Sequence, residues 1–270
     1  MSSIHHSHWH TSVHLHGEKD LYCKAVLLSS NIECSVGLWV DKKSFQIKKA
    51  LWEIYRGQDG PLSVNVTSLE GIEAYLGSGK ALRQAVHQDY GEKALSLFSD
   101  AVRGIIQSET FLYRERGYGD TASFEEEWNK MSLNTCRFYS NLDRASGHWE
   151  KHVSDHKRFD NLFNRFKNIS VATDEETYQV NAGMSDSFHE VDLNLLVDKN
   201  EGTVKNINYS LLRGPDPVCF EATVFAQGLV GQKLSSLSKK EIAPALAGSQ
   251  GCVHMIDLCN DVATVLREIL

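Results

Sequence analysis

Leu38-Trp39-Val40-Asp41-Lys42 and Leu195-Leu196-Val197-Asp198-Lys199 are one phrase written twice, and the reading of the chain starts from that repetition. The match continues without a gap, so that Lys48 falls on Lys205, Arg56 on Arg213, Gly57 on Gly214 and Asp59 on Asp216. Upstream, Ala25 to Glu33 lies over Ala182 to Glu190. Downstream, after a small shift, Leu97-Phe98-Ser99-Asp100-Ala101 lies over Leu258-Cys259-Asn260-Asp261-Val262. An ordered series of this kind marks internal duplication. Residues 1–110 and 165–270 are expected to be two copies of one unit, with 111–164 inserted between them.

Each copy reads as strands first and helices afterwards. Val191, Leu193, Leu195 and Val197 alternate with Asp192, Asn194 and Leu196, the period of a strand with one buried face. Asp198-Lys199-Asn200-Glu201-Gly202 supplies turn residues, and Thr203 to Leu212 reads as the return strand of a hairpin. Past the breaker Gly214-Pro215-Asp216-Pro217 come a helical stretch over Phe220 to Val230, a short one near Ser238, and a last helix from His254 to Leu270. In that last segment Ile256, Cys259, Val262, Leu266 and Leu270 recur at helical spacing. The fold class is α+β: two tandem copies of a small antiparallel sheet backed by helices. In the insertion, Ser123 with Glu126 makes a capping box, and Phe124, Trp128, Met131, Thr135, Phe138 and Leu142 step along a helix over 123–143. Gly147 then interrupts, and His148 to Phe166 is expected to complete a helical hairpin.

The net charge of −7 and the absence of clustered Lys and Arg argue against a nucleic-acid or anionic-membrane surface. No apolar run approaches a membrane span and no leader precedes the first copy, so the chain is read as cytoplasmic. Its six cysteines are then thiols or ligands rather than a disulfide framework.

The candidate ligands are His189, Cys219, Cys252 and His254, on loops that one copy would bring to a common end of its sheet. Thiolates and imidazoles so placed suit a soft or borderline metal. The equivalent places in the first copy hold Asn31 or Ile32, Leu62, Gly91 and Lys93, none of them such a set. Glu190 and Asp216 are candidate bases beside that metal, although Arg56 with Asp59 and Arg213 with Asp216 also suggest a structural ion pair in both copies. Two histidine groups stand apart. His5, His6, His8, His10, His14 and His16 open the chain, and on a strand over 8–16 the last four share one face. His148, His152 and His156 recur every fourth residue. A solvated polar face is the simpler reading of both groups.

The order of parts in the second copy resembles the N-terminal domain of the iron–sulfur scaffolds NifU and IscU: a hairpin with Val-Asp, a Gly turn, a Cys-led helix followed by Gly231-Gln232-Lys233, and a ligand-bearing last helix. Against that family's Cys-Gly-Asp loop stand Ser187-Phe188-His189, and against its His-Cys motif His254-Met255, with Cys252 two residues earlier. The runs His189-Glu190-Val191, Pro217-Val218-Cys219, Leu229-Val230-Gly231 and Gly251-Cys252-Val253-His254-Met255 more closely resemble a bacterial family of unknown function whose last helix opens Gly-Cys-Thr-His-Leu. The resemblances imply an iron–sulfur cluster or iron, with zinc as the alternative, and a carrier that serves a metalloprotein client or assembly partner. Two other functions fit the same residues. One is an enzyme whose thiolate- and imidazole-bound ion has an open position; the other is an interaction module with no metal. Oligomeric state is open.

Overall fold

A computed structural model of the chain describes residues 2–153 and 158–270. The architecture is α+β, with nine strands in antiparallel sheet and helices packed on them. Among the described residues no helix is long and apolar enough to cross a membrane.

Two compact units divide the chain. One spans Ser7–Phe124 and Glu150–Phe166. It contains β2 (Asp20–Ser29), β3 (Glu33–Asp41), β4 (Ile47–Arg56), β5 (Leu62–Asn65), the long helix α1 (Gly79–Ser108) and most of the opening strand β1 (Ser2–His16). Its strands lie in the order β5-β4-β3-β2-β1. The other unit takes the chain through His6, then Glu125–Trp149 and Lys167–Leu270. With the later part of β6 (Asn161–Thr173) it holds β7 (Thr177–Asp186), β8 (Glu190–Asp198) and β9 (Val204–Arg213), in the order β6-β7-β8-β9. After them come α3 (Pro217–Phe220), a 3-10 segment Glu221–Leu229, α4 (Lys239–Ala245) and α5 (Val253–Ile269). A short helix α2 (Thr121–Ser132) lies in the insertion.

The duplication extends to the hydrogen-bond register. β2, β3 and β4 recur as β7, β8 and β9 at one constant residue offset, Asp20 answering Thr177, Glu33 answering Glu190 and Ile47 answering Val204. Each central pair carries two register shifts, at Glu33/Cys34 and Trp39/Val40 in one copy and at Glu190/Val191 and Leu196/Val197 in the other. Bulges set local twist, so both copies bend their hairpins at matched points. Lys48 with Asp41 (3.0 Å) and Lys205 with Asp198 (2.6 Å) repeat one ion pair.

The inward faces follow the alternation read from sequence: Val191, Leu193, Leu195 and Val197 are buried, as are Cys34, Val36, Leu38 and Val40. Helix packing repeats as well. Ala94, Leu95, Leu97, Phe98, Ala101 and Val102 are buried in α1, and Met255, Ile256, Leu258, Cys259, Val262 and Ala263 in α5. Before the first set Gly91 leaves helical geometry at φ 79°; at the matching place before the second, extended Cys252 is the N-cap of α5. The last helix and the short capped one, with Ser238 and Glu241 forming a reciprocal box, agree with the sequence reading. The stretch expected as helix over Phe220 to Val230 is mostly 3-10.

The helical hairpin does not form as expected. α2 ends at Ser132, and Asn134 then takes the left-handed conformation (φ 60°) that closes helices. Its N-terminal cap is Asp120, whose Oδ1 accepts from the Ser123 amide at 2.8 Å, in place of the Ser123 box. Among the described residues the second helix is absent: Trp149–Lys151 is a single 3-10 turn, and from Asn161 the chain is strand. The physical reason lies in the face that β6 buries, where Arg165 and Lys167 stand in register with Phe163, Ile169 and Val171. Charged residues on the inner face hide the alternation.

Candidate metal centre

The hairpin turn between β7 and β8 is built by Asp186. Its Oδ1 accepts from the amides of Phe188 (2.8 Å) and His189 (2.7 Å), while its own amide donates to the His189 carbonyl at 2.8 Å. This is the local hydrogen bonding by which Asp makes turns. It leaves the His189 ring beside the carboxylate, with Nδ1 to Oδ1 at 3.3 Å. From another part of the same unit, the first turn of α5 brings His254, whose ring centroid lies 4.0 Å from that of His189.

Asp186, His189 and His254 each offer a ligand atom, and these atoms all lie within 4.8 Å of one another. The Asp186 side chain is 0% and the His189 side chain 14% exposed. Two imidazoles and one carboxylate make a donor set suited to a borderline divalent ion, and three protein ligands leave positions open on it. The set belongs to the second copy alone. Ser29, Ile32 and Lys93 hold the matching places in the first, and Ser29 Oγ takes the amides of Asn31 (3.2 Å) and Ile32 (3.1 Å). The turn is thus shared, and the ligands are not.

Of the four ligands expected from sequence, the structure brings His189 and His254 together and leaves Cys219 and Cys252 outside that group. Asp186 takes part in their stead. The thiols gather separately around Arg137, whose amide donates to the Gly251 carbonyl (2.8 Å) and whose Nε donates to the Val218 carbonyl (3.2 Å). Cys136, Cys219 and Cys252 each adjoin one of these peptides and are half-buried, whereas Cys23, Cys34 and Cys259 are buried in apolar surroundings. Burial pushes the Cys219 thiol up to about 12, and the neighbouring Cys136 adds to the shift. It raises Cys136 and Cys252 as well. The Tyr209 hydroxyl donates to Cys252 Sγ at 3.5 Å. Such neutral, sheltered thiols are poorer ligands and nucleophiles than exposed ones at a helix start.

The two candidate bases have other partners. Glu190 is 3.9 Å from Arg213. Asp216 is buried and caps α3, its Oδ1 accepting from Val218 N (2.8 Å) and its Oδ2 from the amides of Ser146 (2.7 Å) and Gly147 (2.6 Å). Burial works to raise its pKa, but these donors prevail and hold the carboxyl below the usual range. The expected ion pair of Arg213 with Asp216 gives way to a different contact. Arg213 Nη2 donates to the Asp186 carbonyl at 2.7 Å, and Arg56 Nη2 to the Ser29 carbonyl at 2.7 Å. An arginine at the end of a strand reaches back to the neighbouring hairpin more readily than forward to its own turn.

The opening histidines lie on β1, where His5 is buried and so not part of a solvated face. His10 stacks on Phe166 (4.2 Å) and hydrogen-bonds Asn164, and His14 lies 3.7 Å from Asp160. His148 pairs with Glu125 at 3.4 Å, no helix carries it toward His152, and His156 lies outside the described residues.

Comparison with known families adds one result at this point. Residues 161–268 match the family model described as a protein of unknown function, DUF2889. The match spans β6 to α5 and so includes Asp186, His189 and His254. No curated protein and no solved structure matches the chain, so the likeness to NifU and IscU gains no support from them. Sequence reading missed two residues of the matched region and its surroundings. Asp186 carries a signal that was available, an Asp three residues before a His at a strand end. Cys136 carries none, since it lies in the insertion.

Proposed function

We propose that the DUF2889 region binds a single divalent metal ion on Asp186, His189 and His254, with coordination positions left open for water or a small ligand. The observation that carries this is the convergence of one carboxylate and two imidazoles within 4.8 Å on a partly sheltered turn. Iron or zinc suits these donors. An ion so held supplies Lewis-acid chemistry, and the reading favours a metal-dependent enzyme over a cluster carrier with a metalloprotein client, because the thiols stand apart from the carboxylate and imidazoles.

One observation favours a metal-free alternative. Asp186 Oδ1 already accepts two amides, and Ser29 builds the same turn where no histidines follow. The carboxylate would then be a turn former only.

Titration of the full, metal-stripped chain with Co(II), followed by absorption in the visible, separates the readings. The expected result is one equivalent bound, with affinity falling more than about a hundredfold in His189→Ala and in His254→Ala, since even outer-shell changes reach that size. Cys219→Ser/Cys252→Ser is expected to bind as wild type does. No binding by the wild type would establish the turn-former reading, and iron with sulfide that disappears in the cysteine variant would restore the carrier.

A further inference from the structure

Two of the three ligands ride on one short turn, so the centre depends on what holds that turn. Its own hydrogen bonds close it locally, through Asp186 N to the His189 carbonyl and through the carboxylate to the amides of Phe188 and His189. Against its surroundings it is held by the buried Phe188 ring, which packs on Trp149 at 5.3 Å, and from the adjacent strand by Arg213, the last residue of β9, whose Nη2 donates to the Asp186 carbonyl at 2.7 Å and lies 3.3 Å from the His189 carbonyl. A third, longer contact reaches Ser185 Oγ at 3.5 Å. One charged nitrogen thus engages the carbonyls of both ligand residues. All three contacts come from the same guanidinium nitrogen, which carries a permanent positive charge.

We propose that Arg213 is a positioning residue for the metal centre, holding the Asp186–His189 turn in register with His254. The inference rests on the proposed metal site and adds how that site is kept in shape. The arginine is present in both copies. Arg56 Nη2 holds the Ser29 carbonyl at 2.7 Å and its Nη1 the Ser30 carbonyl at 3.3 Å, although that turn carries no ligand. The clamp is a property of the repeat, and the second copy has placed ligands on it.

The first copy therefore supplies the control. Arg213→Ala and Arg56→Ala remove the same clamp from equivalent turns. The expected result is that both lower the melting temperature, while only Arg213→Ala weakens Co(II) binding, by about tenfold, the size of effect seen when a group orienting a ligand is lost. Arg213→Lys, whose ammonium can also donate to both carbonyls, is expected to recover part of the stability and part of the affinity. Equal Co(II) affinity in wild type and Arg213→Ala would overturn the proposal and leave the site standing, as would an equal loss in Arg56→Ala and Arg213→Ala, which would show general loosening. Failure of the wild type to bind Co(II) would remove the site itself and this inference with it. The distinction can also be read without metal, as the His189 ring resonances should shift in Arg213→Ala and stay in place in Arg56→Ala.

Discussion

Lys167 Nζ donates to Asp261 Oδ2 at 2.8 Å, joining β6 to α5 by an ion pair whose lysine side chain is only 8% exposed. Removing one partner leaves the other charge sheltered with less compensation, whereas replacing both with apolar groups removes the problem. Asp261→Ala is expected to cost about 3 kcal/mol in urea unfolding. Lys167→Met/Asp261→Leu should cost less than either single change. A double variant as unstable as the sum of the singles would show that the two charges are not coupled.

Asp216 sets a pH dependence. Its folded pKa is lowered, so its contribution is present above the ordinary aspartate range and is lost as pH falls through the folded value. Unfolding midpoints of the wild type should therefore decline below about pH 4, the usual aspartate range. Asp216→Asn should lose about 1–3 kcal/mol at pH 7 and show a shallower acid decline. An unchanged acid slope would remove Asp216 from the account.

Cys219 should be a slow nucleophile. With its thiol pushed up to about 12 by burial, only about one part in ten thousand is thiolate at pH 8, against about a quarter for an ordinary thiol. Alkylation of the folded chain, mapped by mass spectrometry, should label Cys219 about a thousandfold more slowly than the denatured chain. Rapid labelling would reopen a thiolate-ligand reading.

Gly104 marks a place where the two copies pack differently. A Cβ there would come within 2.9 Å of Thr11 Cγ2 and 3.2 Å of Val13 Cγ2, while the matching position of α5 holds Val265, which is buried. Gly104→Ala is expected to destabilise by about 1–3 kcal/mol despite its better helix propensity. A stabilised variant in thermal melts would mean that β1 yields at this contact.

The sequence showed β8, whose alternation buries one face, and its return strand β9, and through the duplication their counterparts β3 and β4. It also showed α5, through Ile256, Cys259, Val262 and Leu266. β6 was illegible because Arg165 and Lys167 face inward, their charges met in three dimensions by the Phe163 ring and by Asp261. The site was half legible. His189 and His254 stood out as residue types without counterparts in the first copy, but Cys219 and Cys252 did so equally, and spacing along the chain says nothing of which side chains face each other. Asp186 was overlooked since an Asp at a hairpin reads first as turn chemistry, which it also performs.

The matched positions of the two copies give the ligand set an address in each. Ser29, Ile32 and Lys93 occupy in the first copy the places of Asp186, His189 and His254, the first two on a turn with the same hydrogen bonds and the same arginine behind it, the third on the helix. The first copy is in this sense a blank socket, already formed and lacking its pins. Ser29→Asp/Ile32→His/Lys93→His should raise Co(II) stoichiometry from one equivalent to two. A chain that still takes one would show that the segment after β9, where the copies share little sequence, is as much a part of the centre as its ligands.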